Sequence, residues 1–153
     1  MKYKGRAQCL VVRDSKILMV KHKHGKDEWY CSPGGGIEDG ETPEQAAIRE
    51  LLEECLVSGT IIKKLSEYID PFDDKTMFYT FYVDIGDQIP LLGEDLEFID
   101  NPILAEVRWM SLDEICERDR AFLWASGLLS IIEFANELSS WNDDISYPKK
   151  RIE

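Results

Sequence analysis

The stretch that decides the fold runs from Gly34 to Val57 and reads GGGIEDGETPEQAAIRELLEECLV. Three consecutive glycines open it, and a backbone without Cβ atoms lets other groups approach closely. Thr42, Pro43 and Gln45 then carry three helix-start signals: an N-cap, a proline at the first helical position and a capping box. We therefore predict a glycine segment that breaks regular structure, followed by an α-helix from Pro43 to about Cys55.

Acidic residues crowd one face of this predicted helix. At about 100° per residue, Glu53 and Glu54 lie within about 60° of Glu50 around the helix axis. The opposite face is apolar and consists of Ile48, Leu51, Leu52 and Cys55. We expect the apolar face to pack on a sheet and the acidic face to look outward.

The acidic face has two interpretations, a solvated surface and a metal site. Like charges four residues apart, as in Glu50 and Glu54, cost a helix a few tenths of a kcal/mol, roughly, without any reward inside the helix. Carboxylate oxygens suit hard cations such as Mg²⁺ and Mn²⁺, which in turn bind phosphates. The glycines lack the Lys-Ser/Thr that follows them in a P-loop, so that kind of phosphate site is excluded.

The spacing of this stretch resembles the Nudix box, G-x5-E-x7-R-E-U-x-E-E-x-G-U, in which U is a bulky aliphatic residue. The matching positions are Gly35, Glu41, Arg49–Glu54 and Val57. Leu56 stands where the family has Gly, and a branched side chain adopts a left-handed helix-ending conformation only with strain. We therefore predict that the helix exits differently and runs on toward Gly59, while the chemistry of the glutamates survives.

The residues on either side of the box are also similar to the family. Trp29 precedes Pro33 and the glycines, and the segment Arg108–Glu114 is similar to one that closes the Nudix sheet. The resemblance implies an α/β/α sandwich that hydrolyses a diphosphate linked to another moiety, using Mg²⁺ or Mn²⁺.

The resemblance also implies roles for individual residues. Glu50, Glu53 and Glu54 are the expected metal-binding carboxylates, joined by the carbonyl of Gly34 or Gly35. Arg49 is expected to pair with and orient the glutamates, and Glu41 to hold the loop against the helix. The general base is Glu50 or a downstream loop acid, one of Glu94, Asp95, Glu97 and Asp100.

The rest of the chain predicts a mixed sheet with packed helices, an α+β fold. A hairpin, a polar loop from His22 to Asp27 and a short extended segment at Trp29–Cys31 precede the glycines. The predicted strands are Gln8–Val12, Lys16–Lys21, Ser58–Ile69, Thr76–Asp84 and Ala105–Met110, with an acidic loop over Gln88–Pro102. The predicted helices after the box are Leu112–Cys116 and Ala121–Leu138, the second either continuous or divided near Gly127. We expect one domain over residues 1–140 and a tail over 141–153.

Aromatic residues and histidines are the candidate substrate contacts. Trp29, Tyr30 and Phe78 offer stacking surfaces for a base, worth about 1–3 kcal/mol per contact in nucleic-acid systems. The alternative is that at least half of the chain's aromatic candidates form sheet core. His24 is placed to contact outer phosphates, or has no role. A zinc site of Cys31, His22 and His24 is conceivable, but the simpler interpretation is that both histidines end a strand among lysines.

Charge and composition limit the partners. Lysine and arginine number 18 against 30 acidic residues, which gives a net charge of −12. Such a chain repels long nucleic acids, so RNA decapping is disfavoured, whereas a small nucleotide bound through a metal is compatible with it. No apolar stretch is long enough to cross a bilayer, and no signal peptide is recognised, so we expect a cytoplasmic protein.

Together these features predict a metal-dependent Nudix hydrolase, a pyrophosphatase that acts on a nucleoside diphosphate linked to another moiety. The alternative is a catalytically silent module of the same fold that binds a nucleotide or a protein. The intact pairs Arg49–Glu50 and Glu53–Glu54 argue against the silent module, because a binding module does not need that crowded charge. The sequence leaves the substrate, the number of metal ions and the oligomeric state, a homodimer included, open.

Overall fold

The computed structural model of the chain describes residues 5–70, 73–94 and 103–139. Within these ranges the strands are β1 (Gly5–Leu10), β2 (Val12–Arg13), β3 (Lys16–His24), β4 (Asp27–Cys31), β5 (Gly34–Gly36), β6 (Thr60–Asp70), β7 (Asp73–Asp84) and β8 (Ile103–Met110). The α-helices are α1 (Pro43–Cys55), α2 (Glu117–Ala125) and α3 (Ile132–Ser139), with 3₁₀ turns at Leu112–Glu114 and Leu128–Ser130. None of the helices in these ranges combines the length and hydropathy needed to span a membrane.

The strands form two sheets. The first has the order β5-β1-β7-β6, in which β1 runs parallel to β7 and antiparallel to β5. In the second, β3 pairs antiparallel with β2, β4 and β8. Parallel and antiparallel pairing in one sheet confirms the predicted mixed sheet.

Helices cover both sides of the sheets. One buried cluster joins Leu51 of α1 to Cys9 of β1 and Phe81 of β7. A second cluster joins Leu10 of β1 to Leu123 of α2 and Phe134 of α3. Because neighbouring residues of a strand point to opposite faces, Cys9 and Leu10 serve the two clusters in turn. The arrangement confirms the predicted α+β sandwich.

Two predictions for the segment before α1 are wrong. The polar loop over His22–Asp27 is in fact the end of β3 and the start of β4, because β3 pairs with β4 and with β8 up to this point. The glycine segment does not break regular structure, since Gly34–Gly36 form β5 against β1. A Cβ atom at Gly34 would collide with the carbonyl oxygen of Ala7 and lie 2.7 Å from Gln8 Cα, so this strand approaches β1 as only glycine allows.

The start of α1 is as predicted. Gln45 donates its backbone N–H to Thr42 Oγ1 at 3.1 Å, and Thr42 donates its own to Gln45 Oε1 at 2.9 Å. This capping box satisfies two backbone groups at the helix N-terminus.

The prediction that α1 runs on toward Gly59 is wrong. The helix ends at Cys55, and Leu56 adopts the left-handed conformation with φ 55° and ψ 37°. Gly59 instead allows close packing, because a Cβ atom there would lie 2.5 Å from Val83 Cγ1 and 2.8 Å from Leu51 Cδ2.

A loop after β7 holds the end of this helix. The carbonyl oxygens of Glu53, Glu54 and Cys55 accept hydrogen bonds of 2.8–2.9 Å from the backbone N–H groups of Glu94, Gly93 and Leu91. A helix otherwise leaves its last carbonyls without partners. These bonds from residues 91–94 explain how the helix stops where it does although Leu56 replaces a glycine.

The later helices partly follow the prediction. The segment Leu112–Cys116 contains only a 3₁₀ turn, and α2 starts at Glu117, before the predicted Ala121. Gly127, with φ +89°, separates α2 from the next turn, which confirms the divided alternative. Asp95, Glu97, Asp100 and the predicted tail 141–153 lie outside the described residues.

Candidate active site

Arg49 is the centre of the candidate site. Its Nε and Nη2 donate to the two carboxylate oxygens of Glu41 at 2.7 and 3.0 Å, and Nη2 also donates to the carbonyl of Gly36 at 2.8 Å. Its Nη1 donates to Glu50 Oε1 at 2.9 Å and faces Glu53 at 3.3 Å. The guanidinium therefore ties the glycine strand, the loop before α1 and two of the predicted metal ligands together.

Electrostatics within this network follow from the same contacts. The hydrogen bonds from Arg49 hold the pKa of Glu41 below its ordinary value, and the backbone N–H of Glu38 adds to the effect. The neighbouring carboxylates, Glu41 first, raise the pKa of Arg49, which stays charged. Near neutral pH, the loop between β5 and α1 is thus held by an ion pair.

Glu54 connects α1 directly to the glycine strand. Its Oε1 accepts the backbone N–H of Gly34 at 2.9 Å. Its Oε2 lies 3.9 Å from Nε2 of His22, whose ring stacks on Trp29 with 5.6 Å between centroids. The glutamate therefore lies between the helix, the glycines and the aromatic residues of β4.

The expectation that the acidic face looks outward is wrong. Glu50 is 2% exposed and Glu54 is fully buried, whereas Leu52 of the predicted apolar face is 49% exposed. The reason is that β5 and the Arg49 network lie against the acidic side of α1, since Gly34 donates to Glu54 and the carbonyl of Gly36 accepts from Arg49. Helical periodicity identified which residues share a face but not which element covers that face.

The donor set fits a hard divalent cation. Glu41, Glu50 and Glu53 contact the one guanidinium of Arg49, and Glu54 lies next to Glu53 on the same helix, so the cluster carries more negative than positive charge. In the part of the chain that the structure describes, no three acidic, histidine or cysteine side chains form a ready metal cage. Mg²⁺ does not require one, because it keeps several waters and takes one or two protein carboxylates together with substrate phosphates.

The zinc alternative is not supported by the described residues. Cys31 Sγ lies 3.5 Å from Nδ1 of His22. His24 is exposed at the end of β3, and no third ligand among the described residues joins the other two. The four cysteines are free thiols. Burial raises the pKa of Cys9 and Cys55, so both thiols stay protonated.

Two adjoining cavities lie next to the glycine strand, whose Gly34 donates to Glu54. The smaller, of about 210 Å³, is lined by Gly34, Gly35 and His22, and the larger, of about 560 Å³, by Tyr68, Asp119 and Phe122. Both are lined by Gln8, Trp29, Cys31, Ser32 and Phe78. The shared lining makes one continuous groove from the glycine strand to α2.

The predicted substrate contacts divide in this groove. Trp29 and Phe78 line both cavities and Tyr30 lines the larger one, whereas His24 lines neither. Sequence reasoning did not single out Tyr68, which stacks on Phe78 with 5.4 Å between centroids, or Gln8 and Ser32. The alternating pattern of β7 could have indicated part of the groove. Phe78 and Thr80 lie on one face of the strand, and Tyr79 and Phe81 lie on the other.

Comparison with known proteins identifies the family. A model of the NUDIX domain matches residues 3–130, so the chain belongs to the Nudix family, as its box indicates. A Nudix hydrolase from Nitrosomonas europaea has a similar structure, with a TM-score of 0.61 and 22% identity over 97% of this chain and 94% of that one. At this identity the likeness shows the fold.

Curated relatives are similar over part of their length. Diphosphoinositol polyphosphate phosphohydrolase 3-alpha of Mus musculus is 35% identical over 86 residues, which cover 54% of this chain and 52% of that protein. Diphosphoinositol polyphosphate phosphohydrolase 2 of Mus musculus is 36% identical over 84 residues, covering 53% and 44%. The chain therefore spans about half the length of the curated relatives that it matches.

Proposed function

We propose that the chain is a pyrophosphohydrolase that cleaves a nucleoside diphosphate linked to another moiety and depends on Mg²⁺ or Mn²⁺. The observation that carries the proposal is the pair of buried carboxylates, Glu50 and Glu54, held beside the glycine strand at one end of a groove. Burying carboxylates is costly unless cations or hydrogen bonds compensate them, so a divalent ion is the expected complement.

The contacts support a role for each of these residues. Glu50, Glu53 and Glu54 would hold the cation, with the carbonyl of Gly34 or Gly35 as a further ligand. When bound, a divalent cation neutralises the diphosphate, lowers the pKa of a bound water and stabilises charge on the leaving phosphate. Arg49 orients Glu50 and Glu53 through its Nη1 while Glu41 and Gly36 hold the rest of the guanidinium.

The proton acceptor is Glu50 or a loop acid. Glu50 is buried beside the proposed metal position, which supports it as the first choice. Glu94 is the loop acid within the described residues, and its backbone N–H donates to the carbonyl of Glu53 at 2.8 Å. This bond brings the loop to the end of the acidic face, which supports Glu94 as the second choice.

A nucleotide suits the groove better than an inositol polyphosphate. Trp29, Tyr68 and Phe78 offer flat apolar surface for a base. Arg6 and Arg118 are the lysine or arginine residues among the described lining, whereas a polyphosphorylated ring needs several cations around it. The net charge of −12 points the same way.

A substrate panel tests the proposal. Formation of nucleoside monophosphate, phosphate or pyrophosphate is measured with Mg²⁺, with Mn²⁺ and with a chelator. The substrates are nucleoside triphosphates, oxidised nucleotides, ADP-ribose, nucleotide sugars, dinucleoside polyphosphates and a diphosphoinositol polyphosphate. We expect metal-dependent turnover of a nucleotide, lost in Glu54→Gln. Nucleotide binding without turnover under any metal would indicate the silent module. Faster cleavage of capped RNA or of the inositol substrate would overturn the substrate class.

A further inference from the structure

Gln8 lies where the two cavities meet and is anchored by both hydrogens of its amide. Its Nε2 donates to Thr80 Oγ1 at 2.9 Å and to Ser126 Oγ at 2.7 Å. Gln8 is on β1, Thr80 on β7 and Ser126 at the end of α2, so three elements hold this one side chain. Thr80 is fully buried and Ser126 is 1% exposed.

The hydroxyl of Ser126 decides which way the amide faces. That hydroxyl donates its single hydrogen to the carbonyl of Phe122 at 2.6 Å. It can therefore only accept from Gln8, which requires the nitrogen and not the oxygen of the amide on that side. The carbonyl oxygen Oε1 is left toward the cavities that Gln8 lines and accepts no hydrogen bond from any described residue.

A second polar group at the same junction is also without a partner. Ser32 is 6% exposed and lines both cavities, and its hydroxyl makes no hydrogen bond to the residues that the structure describes. By contrast, both carboxylate oxygens of Asp119 in the larger cavity already accept hydrogen bonds, from Tyr30 N–H and from Arg118. Buried polar groups are normally satisfied, so the buried hydroxyl of Ser32, next to the half-buried amide of Gln8, indicates a polar ligand at this place.

The chemistry of a fixed carbonyl oxygen limits that ligand. The carbonyl oxygen can only accept hydrogen bonds. Phosphate oxygens and carbonyl groups therefore cannot bond to it, whereas N–H and O–H groups can. Trp29 and Phe78 line the same two cavities as Gln8, and these rings favour a planar group at this point of the groove. A planar ring with an N–H on its edge satisfies both conditions.

We propose that Gln8 determines base specificity, its amide oxygen accepting a hydrogen bond from the exocyclic amino group of a nucleobase that stacks on Trp29 and Phe78. The inference rests on the proposed function only in assuming a nucleotide ligand. Ser32 supplies a further hydrogen bond to the same base edge. A base that carries hydrogen in place of the amino group leaves the amide oxygen unsatisfied and binds more weakly.

The test compares nucleotides that differ only in this amino group. Dissociation constants are measured by calorimetry for the 5′-monophosphates of adenosine against purine riboside, cytidine against pyrimidin-2-one riboside, and guanosine against inosine. Monophosphates contain no anhydride bond, so binding is measured without hydrolysis. We expect the amino-bearing member of at least one pair to bind about tenfold more tightly.

Two variants test whether Gln8 causes this binding preference. Gln8→Met keeps the approximate size of the side chain but removes the acceptor, and should bring the preference within about twofold. Thr80→Val removes the neighbouring Gln8–Thr80 bond while Ser126 still orients the amide, and should keep the preference. Circular dichroism confirms that both variants fold.

Other outcomes overturn the inference. Equal binding within every pair, or a preference that survives Gln8→Met, shows that Gln8 does not recognise an amino group. A third outcome is that no amino preference is seen, but removal of the 2′- or 3′-hydroxyl weakens nucleotide binding to the wild type and not to Gln8→Met. Gln8 would then contact the sugar and not the base. Absence of hydrolysis of every nucleotide in the substrate panel, with the binding preference intact, refutes the proposed enzyme but not the base contact.

Discussion

Gly34 donates its backbone N–H to Oε1 of Glu54 at 2.9 Å, so the first residue of the glycine strand directly orients a glutamate at the end of α1. The glycine strand in turn pairs with β1, where Gly34 lies opposite Gln8. The acidic cluster and the groove therefore both contact the same pair of strands, β5 and β1.

The glutamates of the proposed metal site should be essential for turnover. We expect Glu53→Gln and Glu54→Gln each to lower kcat by about 10² or more, the scale of losing a major electrostatic group. Steady-state hydrolysis of the best nucleotide at saturating Mg²⁺ measures the effect. Glu44→Gln, an exposed glutamate in the first turn of the same helix, is the matched control and should keep its turnover. Near-wild-type activity of either site variant would refute the assignment.

The Arg49–Glu41 pair should make stability depend on pH. Because the pKa of Glu41 is lowered in the folded protein, its carboxylate stabilises the fold above the unfolded pKa of about 4.3, and this contribution is lost as the pH falls through the folded pKa. We expect Glu41→Gln to unfold at a lower urea concentration than the wild type near neutral pH, with the gap closing in acid.

Urea denaturation from about pH 7 to about pH 3 measures this gap. The exposed Glu44→Gln variant should differ from the wild type by less than about 0.5 kcal/mol near neutral pH. A gap for Glu41→Gln that stays constant over the whole range would show that the ion pair does not contribute.

Leu56 should be a strained helix end. Its left-handed conformation costs a branched residue about 1–2 kcal/mol, and its side chain is half exposed. Leu56→Gly removes the strain but gives the unfolded chain more freedom, so we expect a net gain of about 0.5–1 kcal/mol in the free energy of unfolding. Leu56→Ala keeps the strain and should not be stabilised. Turnover of Leu56→Gly should stay near that of the wild type, and a rise by orders of magnitude would contradict this view.

Gly93 should be needed for the contact between the loop and the helix. A Cβ atom there would collide with the carbonyl oxygen of Glu53 and lie 2.9 Å from its carbon. We expect Gly93→Ala to destabilise the fold by about 1–3 kcal/mol and to lower kcat at least about tenfold, because it displaces the end of the acidic face.

A neighbouring substitution separates this contact from general effects on the loop. Ile89 is 77% exposed on the same loop, so Ile89→Ala should change the free energy of unfolding by less than about 0.5 kcal/mol. Unchanged stability and turnover in Gly93→Ala, measured by urea denaturation and by hydrolysis, would show that the loop bonds do not support the site.

Local signals predicted α1 and the family. The start of α1 depends on Thr42, Pro43 and Gln45, which lie within one turn of each other, so short-range hydrogen bonds determine it. The spacing from Gly35 to Glu54 likewise lies within one stretch of chain, and it identified the Nudix family before any fold was known.

Long-range contacts decided the rest. Periodicity placed Glu50 and Glu54 on one face, but only the pairing of β5 with β1 and the guanidinium of Arg49 bury that face. Composition indicated a loop around His22, but β4 and β8 on either side of β3 made it a strand. In both cases hydrogen-bond partners distant in the sequence override local preference.

The sequence by itself determined the helix, the order of its charges and the family, because neighbouring residues interact whatever the rest of the chain does. Only the tertiary structure decided that Leu56 ends the helix and that the oxygen of Gln8 faces the groove. The first depends on backbone bonds from residues 91–94, and the second on hydroxyl groups 72 and 118 positions away. Such contacts exist only after distant segments have packed, so no local pattern predicts them.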